Sequence, residues 1–446
     1  MRLYHLLRKT VVVLCAIALA ASMAFMPGCS SPQNNGEKVN LLFKVPRTGH
    51  DVVFDDSITQ IDQVIRKMAD EFVAQYDKAD VEIEVEVFEQ NQYDDAIANS
   101  FDTEHSPDLL YGDYFNMSTY IHSGRVVPLD DVVSIAVRDD VYDYLWDIST
   151  IDGRIYMMPY LARQNILAYN KALFEQAGLK DFIKDDEISS WSLSEWTYIL
   201  DTLAANLPEG YYPMMMYAFS SQGDTHTMTL LRSAGSEFFD ETGHFNLSTP
   251  EGIAALRWLQ DGVDRGWYPP HSENLEIEDC SSLFRQGQLG IYMVNNASIE
   301  RYDGTVGLVN FPGPDDEGCA TTFVSGFEVF DNGDEKKLEV AKDFLRYVYT
   351  SDELMDYAAG TLPASKASSE RYGSQIEAFD LFNENRKNVV DFTGSNPDTR
   401  AVREVFYEVI HDLLMKNITP EDAAATIDQR CNAAIDEGAA ASVLHE

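Results

Sequence analysis

The chain of 446 residues is poor in cysteine, with five in all, and none falls in a C-x-x-C pair or beside clustered histidines. A structural zinc site of the usual kind is therefore not encoded. Its nine histidines are scattered, and H-E-x-x-H, G-x-S-x-G, a P-loop and a dinucleotide-binding glycine fingerprint are all missing. The common sequence grounds for a metallohydrolase, a serine hydrolase or a nucleotide enzyme go with them, and no metal or cofactor is called for. Positive charge is scarce as well. Against 74 Asp and Glu the chain sets 33 Lys and Arg, a net charge of −41, which argues against partners such as nucleic acid or an anionic lipid surface held by charge. No apolar run reaches the roughly 20 residues of a lasting membrane span.

The longest such run, Val11 to Met26, follows Arg2, Arg8 and Lys9 and precedes the first acidic residue, Glu37. That layout predicts a secretory leader over residues 1–28. Met26-Pro27-Gly28-Cys29 resembles the lipobox of bacterial lipoproteins, which implies that Cys29 takes the lipid and becomes the first mature residue; cleavage after Ala20 or Ala24 is the alternative. Residues 29–38, rich in Ser, Asn, Gln and Gly, read as a flexible tether. The protein is then expected in the cell envelope, on the outer face of the cytoplasmic membrane, in a periplasm or at the cell surface. Only Cys280, Cys319 and Cys431 are left for the folded part, at most one disulfide, and whether Cys280 pairs with Cys319 stays open.

Helical and strand periods alternate along the remainder, which predicts an α/β fold. Val39 to Val45 reads as a strand, and Ile58, Ile61, Val64, Ile65, Met68 and Phe72 recur at three and four as the apolar stripe of a helix. Val81 to Val87 alternates Val or Ile with Glu, a strand near a sheet edge with one face in water. Ser192-Leu193-Ser194-Glu195 is a capping box, and Ser248-Thr249-Pro250-Glu251 and Thr419-Pro420-Glu421-Asp422 open two further helices. Loops are expected at Pro269-Pro270 and over Phe311 to Gly318.

Several stretches, taken in order, carry a resemblance. They are Pro107-Asp108-Leu109-Leu110 with Gly124 and Pro128-Leu129, and Asp152-Gly153-Arg154-Ile155-Tyr156-Met157-Met158-Pro159 with Tyr169-Asn170-Lys171-Ala172-Leu173-Phe174. They continue with Trp191 to Trp196, Phe284 to Ile291, and Ala341 to Leu345 with Pro363. Their order and spacing are similar to the family 1 extracellular solute-binding proteins of ABC importers, the group containing maltose-binding protein. The resemblance implies a type II periplasmic-binding-protein fold of two α/β lobes, one of residues 39–162 plus 327–352, the other of 163–326 plus 353–446. The chain would cross between lobes near Leu161 to Ile166, Val324 to Val329 and Ser351. A solute would be held in the cleft by hinge closure and passed, by a monomer, to the permease subunits. Asn170 as a helix cap and Gly287 as a left-handed helix end are scaffold.

Ligands of open α/β sheets sit beyond strand C-termini. The best local candidates are therefore Asp113, Tyr114, Phe115 and Asn116 after the strand Leu109 to Tyr111. Arg163 falls where maltose-binding protein has a ligand carboxylate, so the position matches and the charge is reversed. Weaker candidates are Arg47 and His50 beyond the first strand, Ser221 and Gln222 after a strand at Met214 to Phe219, Asn295 and Asn296, and Arg400 with Arg403 on a late helix. A carbohydrate is the leading solute, although all five Trp (146, 191, 196, 258 and 267) fall on predicted scaffold, and an acidic, phosphorylated or sulfated solute is the alternative. Acidic runs such as Asp139-Asp140 and Asp185-Asp186-Glu187 do not make an enzyme, because adjacent carboxylates rarely flank one glycosidic bond. A surface lipoprotein without a solute is the remaining reading.

Overall fold

The computed structural model describes residues 38–101, 103–219, 224–236, 238–240, 243–299, 304–312, 318–390 and 399–443. The leader, Cys29 and the first nine residues of the tether lie outside them. No helix among the described residues is long and apolar enough to cross a membrane.

One ten-stranded sheet runs through the molecule. Its strands are β1 (Lys38–Arg47), β2 (Asp80–Glu89), β3 (Leu109–Asp113), β4 (Met158–Asn170), β5 (Ile188–Ser189), β6 (Tyr212–Met214), β7 (Leu289–Asn295), β8 (Val306–Val309), β9 (Thr321–Val329) and β10 (Leu362–Pro363). The main path is β2-β1-β3-β9-β4-β8-β5. The helices that matter for the site are α1 (Ile61–Gln75), α2 (Gln90–Ala98), α3 (Met117–His122), α4 (Leu193–Asn206), α5 (Pro250–Asp264), α6 (Glu335–Thr350), α7 (Lys366–Tyr372), α8 (Thr399–Leu414) and α9 (Pro420–Val443).

β4 organises the whole. Its first residues pair with β9, while Asn165 to Tyr169 pair with β7 and Leu167 to Asn170 with β8. One 13-residue strand therefore belongs to two halves of the sheet, and the passage at Leu161 to Ile166 lies within it. β9 makes the return passage. Its register shifts between Ser325 and Gly326, and a Cβ on Gly326 would stand 2.3 Å from Met158 O, so only glycine lets the two backbones approach here. The Tyr349 hydroxyl donates to Met158 O (2.6 Å) and Pro159 O (2.8 Å) at the same place.

Local signals become structure where expected. α1 buries Ile61, Val64, Ile65, Met68 and Phe72 on one stripe. β2 is the edge strand, with Glu82, Glu84 and Glu86 turned outward and Glu82 paired to Lys38. Ser192 caps α4 with a full capping box, Thr249 caps α5 with Pro250 in its first turn, and Asn170 accepts from Leu173 N. Asp108 gives the Pro-Asp motif its physical meaning. Buried to 2%, it accepts from Leu42 N (2.8 Å), Asn332 Nδ2 (3.0 Å) and Lys337 Nζ (3.0 Å), tying β1 to the turn before α6. Cys280, Cys319 and Cys431 are buried and unbridged.

Two expectations meet a different layout. A strand at Met214 to Phe219 is limited to Tyr212–Met214. A final passage near Ser351 is not what the contacts show, because residues 352–372 bind to the first half. Leu354 O accepts from Tyr160 Oη, Tyr357 O pairs with His50, Ser365 bridges Val141, and Lys366 donates to Asp139 O. The chain touches the second half at Thr361, which accepts from Asn296 Nδ2, and then bonds to it over Phe382 to Val390, through Gln164, Asn310 and Ala320.

Candidate functional site

β1 and β3 run parallel, with Phe43 opposite Leu109, so their C-terminal ends open on one edge. β9 and β4 carry Ser325 and Arg163 across that same edge. Together they frame a cavity of about 390 Å³. It is lined by Pro46 to Gly49 beyond β1, Ile61 at the start of α1, Tyr111 and Asp113 of β3, Arg163 of β4, and Phe323 and Ser325 of β9.

Three of the expected residues therefore meet there: Arg47, Asp113 and Arg163. Arg163 lies opposite Phe323 in the register, so both project from one face. Its Nη2 donates to Gly49 O (3.2 Å), and among the described residues it makes no ion pair. A guanidinium without a carboxylate partner, in a chain so acidic, keeps most of its five donors for something else. Ser325 Oγ donates to Asp113 Oδ1, fixing the carboxylate at the rim. Arg47 is the register partner of Glu89 and pairs with it at 2.9 Å, so its charge is already met. The Tyr111 phenol is pushed above its usual range chiefly by burial, with Arg163 opposing, and stays a neutral group in the wall. Carboxylate, guanidinium, hydroxyl and a phenyl ring on one small concavity can grip a polyhydroxylated molecule: charged groups form the stronger hydrogen bonds, and the ring covers apolar C–H.

The other candidates fall elsewhere. Tyr114, at 3% exposure, packs in the apolar core rather than lining the cavity. Asn116 lies in the one-turn helix that follows β3; nothing is described of the Phe115 and Arg400 side chains, and Ser221 and Gln222 lie outside the described residues. Asn296 is buried and already engaged, accepting from Gln164 N (2.8 Å) and donating to Thr361 Oγ1 (2.7 Å). Asn295 closes its own turn by accepting from Ala297 N (3.0 Å). His50 turns inward, its Nε2 2.6 Å from Tyr357 O, and burial with help from Arg163 lowers its pKa to about 4.

Residue-type reasoning passes over Thr48, just past β1, and over Tyr111, Phe323 and Ser325, which are ordinary strand residues until the register of β9 places two of them beside Arg163 and Asp113. It also passes over Phe219. β6 runs parallel to β7, which ends at Asn295 opposite Asn165, so the chain past Met214 heads for the same edge. There Phe219 stands 55% exposed, an aromatic face on the second half. Its signal in the sequence is its place at the end of the apolar run Met214 to Phe219.

A second, larger cavity of about 440 Å³ lies beside the outer strand β5, between Asp186 to Ser190 and the segment 381–388. Its amide groups are spent on each other. Asn385 donates to Gln164 Oε1 and Asn310 Oδ1, both at 2.7 Å, and Asn388 donates back to Asn385. Among the described residues no cluster of His, Cys, Asp and Glu is placed to hold a metal ion.

A family model described as bacterial extracellular solute-binding protein matches residues 56–355. The chain belongs to that family. Among curated relatives of this solute-binding protein, a Brucella abortus binding protein is 24% identical over 296 residues, 63% of this chain and 66% of the relative. The match thus spans just under two thirds of that relative's length. The diacetylchitobiose binding protein DasA of Streptomyces coelicolor is 20% identical over 346 residues, 75% of this chain and 77% of its own. Among solved structures, maltose-bound MalE3 of T. maritima superposes with a TM-score of 0.67 at 19% identity, covering 89% of this chain and 99% of that one. The fold is accordingly the mixed α/β, two-lobed fold of maltose-binding-protein-like proteins.

Proposed function

We propose that this protein captures a carbohydrate between its lobes and delivers it to the permease of an ABC importer, acting as a binding protein and not as an enzyme. The observation that carries the reading is the cavity where β1, β3, β4 and β9 meet, with Arg163 paired to no carboxylate among the described residues and Asp113 anchored beside it. Family membership and relatives such as DasA support a sugar over an anionic solute. The ligand set is Asp113, Arg163, Ser325 and Thr48 from the cavity, with Phe219 supplying a stacking face from the opposite lobe. The first lobe takes residues 39–162 and 327–372, the second 163–326 and 379 onward, and closure bends β4 and β9 at their shared segment. Cys29 carries a lipid that holds the monomer on the outer face of the cytoplasmic membrane.

A thermal-shift screen of the purified protein against neutral sugars, acidic sugars and polyols tests this. A bound solute raises Tm by mass action. The expected result is a shift with a neutral sugar or polyol that vanishes in Arg163→Met, whose own Tm is unchanged. A shift with acidic compounds alone would replace the carbohydrate reading, and mass spectrometry of the membrane-extracted protein decides the lipid at Cys29.

A further inference from the structure

Resting on the carbohydrate reading, we infer that the cleft is built for a short solute, one sugar ring, its open-chain alcohol or at most two rings, and excludes longer saccharides. Three observations bear on length. The cavity holds about 390 Å³, at the small end of the roughly 300–1,000 Å³ found for small-molecule sites. A cavity at that end of the range suits a compact solute.

Next, the described residues wall the cleft at one end. Past Asp113 the chain turns at once into the short helix Tyr114–Asn116 and α3, and this corner of the first half packs directly against α8 and α9, the two long C-terminal helices. Tyr114 fills the corner from the inside. A saccharide extending beyond Asp113 meets that wall. On the other side Arg163 reaches over to Gly49 O, so the strap Thr48–Gly49 and the guanidinium close the cavity laterally.

The third observation is the fate of the large flat side chains. Long saccharides are held mainly by successive aromatic faces, one per ring or two, because each added ring brings apolar C–H surface to cover. Trp146, Trp191, Trp196 and Trp267 are buried at 4% exposure or less, and Trp258 packs at a tilt against Trp267 while its indole donates to Thr197. None is free to form a platform in the cleft. What the cavity offers is mostly polar and convergent: Asp113, Arg163, Ser325 and Thr48 around one centre, with Phe323 and the Tyr111 phenol as the rings in its wall. Such a set recognises the hydroxyls of one unit and gains little from a third.

The test is a length series read by calorimetry and thermal shift on the mature protein, with gluco-, chito-, xylo- and arabino-saccharides from one to six units and the matching alditols. The expected result is that, in whichever series binds, affinity is highest at one or two units and falls at least tenfold by three. Affinity that holds or rises through three and more units overturns the size limit and leaves the carbohydrate reading standing. No binding by any member of any series overturns both. A second variant, Trp258→Phe, tests the scaffold assignment of the last tryptophan: binding by the preferred sugar is unchanged, and a tenfold loss would place that ring in the site.

Discussion

Replacing Glu328 by glutamine makes this protein more resistant to base. Glu328 sits on β9, fully buried, and neither carboxyl oxygen has a hydrogen-bond partner among the described residues. Burial alone raises its pKa from 4.5 to about 8. The nearest buried cation in its row is Lys44, but register puts Leu110 between them, roughly 10 Å away at about 4.8 Å per strand. The folded protein therefore keeps the acid protonated while the unfolded chain ionises it above pH 4.5. Because the folded-state pKa is the higher one, the contribution is intact below pH 4.5 and is lost as pH rises toward 8. At about 1.4 kcal/mol per unit the total is roughly 5 kcal/mol, of which about 3 to 4 kcal/mol falls between pH 5 and 8. Urea unfolding at pH 5, 6, 7, 8 and 9 reads this directly. Wild type and Glu328→Gln should be close in stability at pH 5, and the variant should lead by about 3 kcal/mol at pH 8 and above. A gap between them that does not change with pH would show that the carboxyl is ionised and solvated in the fold, and would refute the reasoning.

Two buried histidines act in the opposite sense: His50 and His226 both have pKa values lowered to about 4 by burial, so their contribution is present above 6.5 and fades as pH falls toward 4. With Glu328 they place the stability maximum near pH 6.5, and a pH–Tm curve for wild type and His226→Gln checks it, the variant losing less on the acid side. Asp108→Asn removes a buried acceptor of three donors, one charged, and should cost about 3 kcal/mol in urea unfolding. Gly326→Ala drives a methyl into Met158 O and should cost about 2 kcal/mol or more, measured the same way. Phe219→Ala, on an exposed ring, should leave Tm of the free protein within a degree or so and weaken sugar binding about tenfold by calorimetry.

What the sequence shows and what it hides divide along physical lines. Periodicity and capping chemistry are local, so α1, the edge strand β2 and the caps at Asn170, Ser192 and Thr249 are legible residue by residue. Arg47 and Asp113 are reached from the sequence because each ends a strand that opens on the cavity, and Arg163, mid-strand in β4, is reached through the resemblance. Tyr114 is not, because a one-turn helix swings it into the core, a rotation that no spacing rule reports. Asn296 shows the same limit. Its side chain is consumed by Gln164 and Thr361, 132 and 65 residues distant in the chain, and only tertiary structure reveals such partners. Ser325 and Phe323 enter the site through strand register, and residues 352–372 join the first half through a tyrosine and a buried histidine that look unremarkable in the sequence.

The most direct test is a structure of the protein with the tightest-binding sugar. The account predicts one compact ligand between Asp113 and Arg163, bonded to both, with Phe219 or Phe323 against its ring. A sugar seated instead in the cavity beside Glu384 and Asn388, with Arg163 still bound only to Gly49, would contradict it.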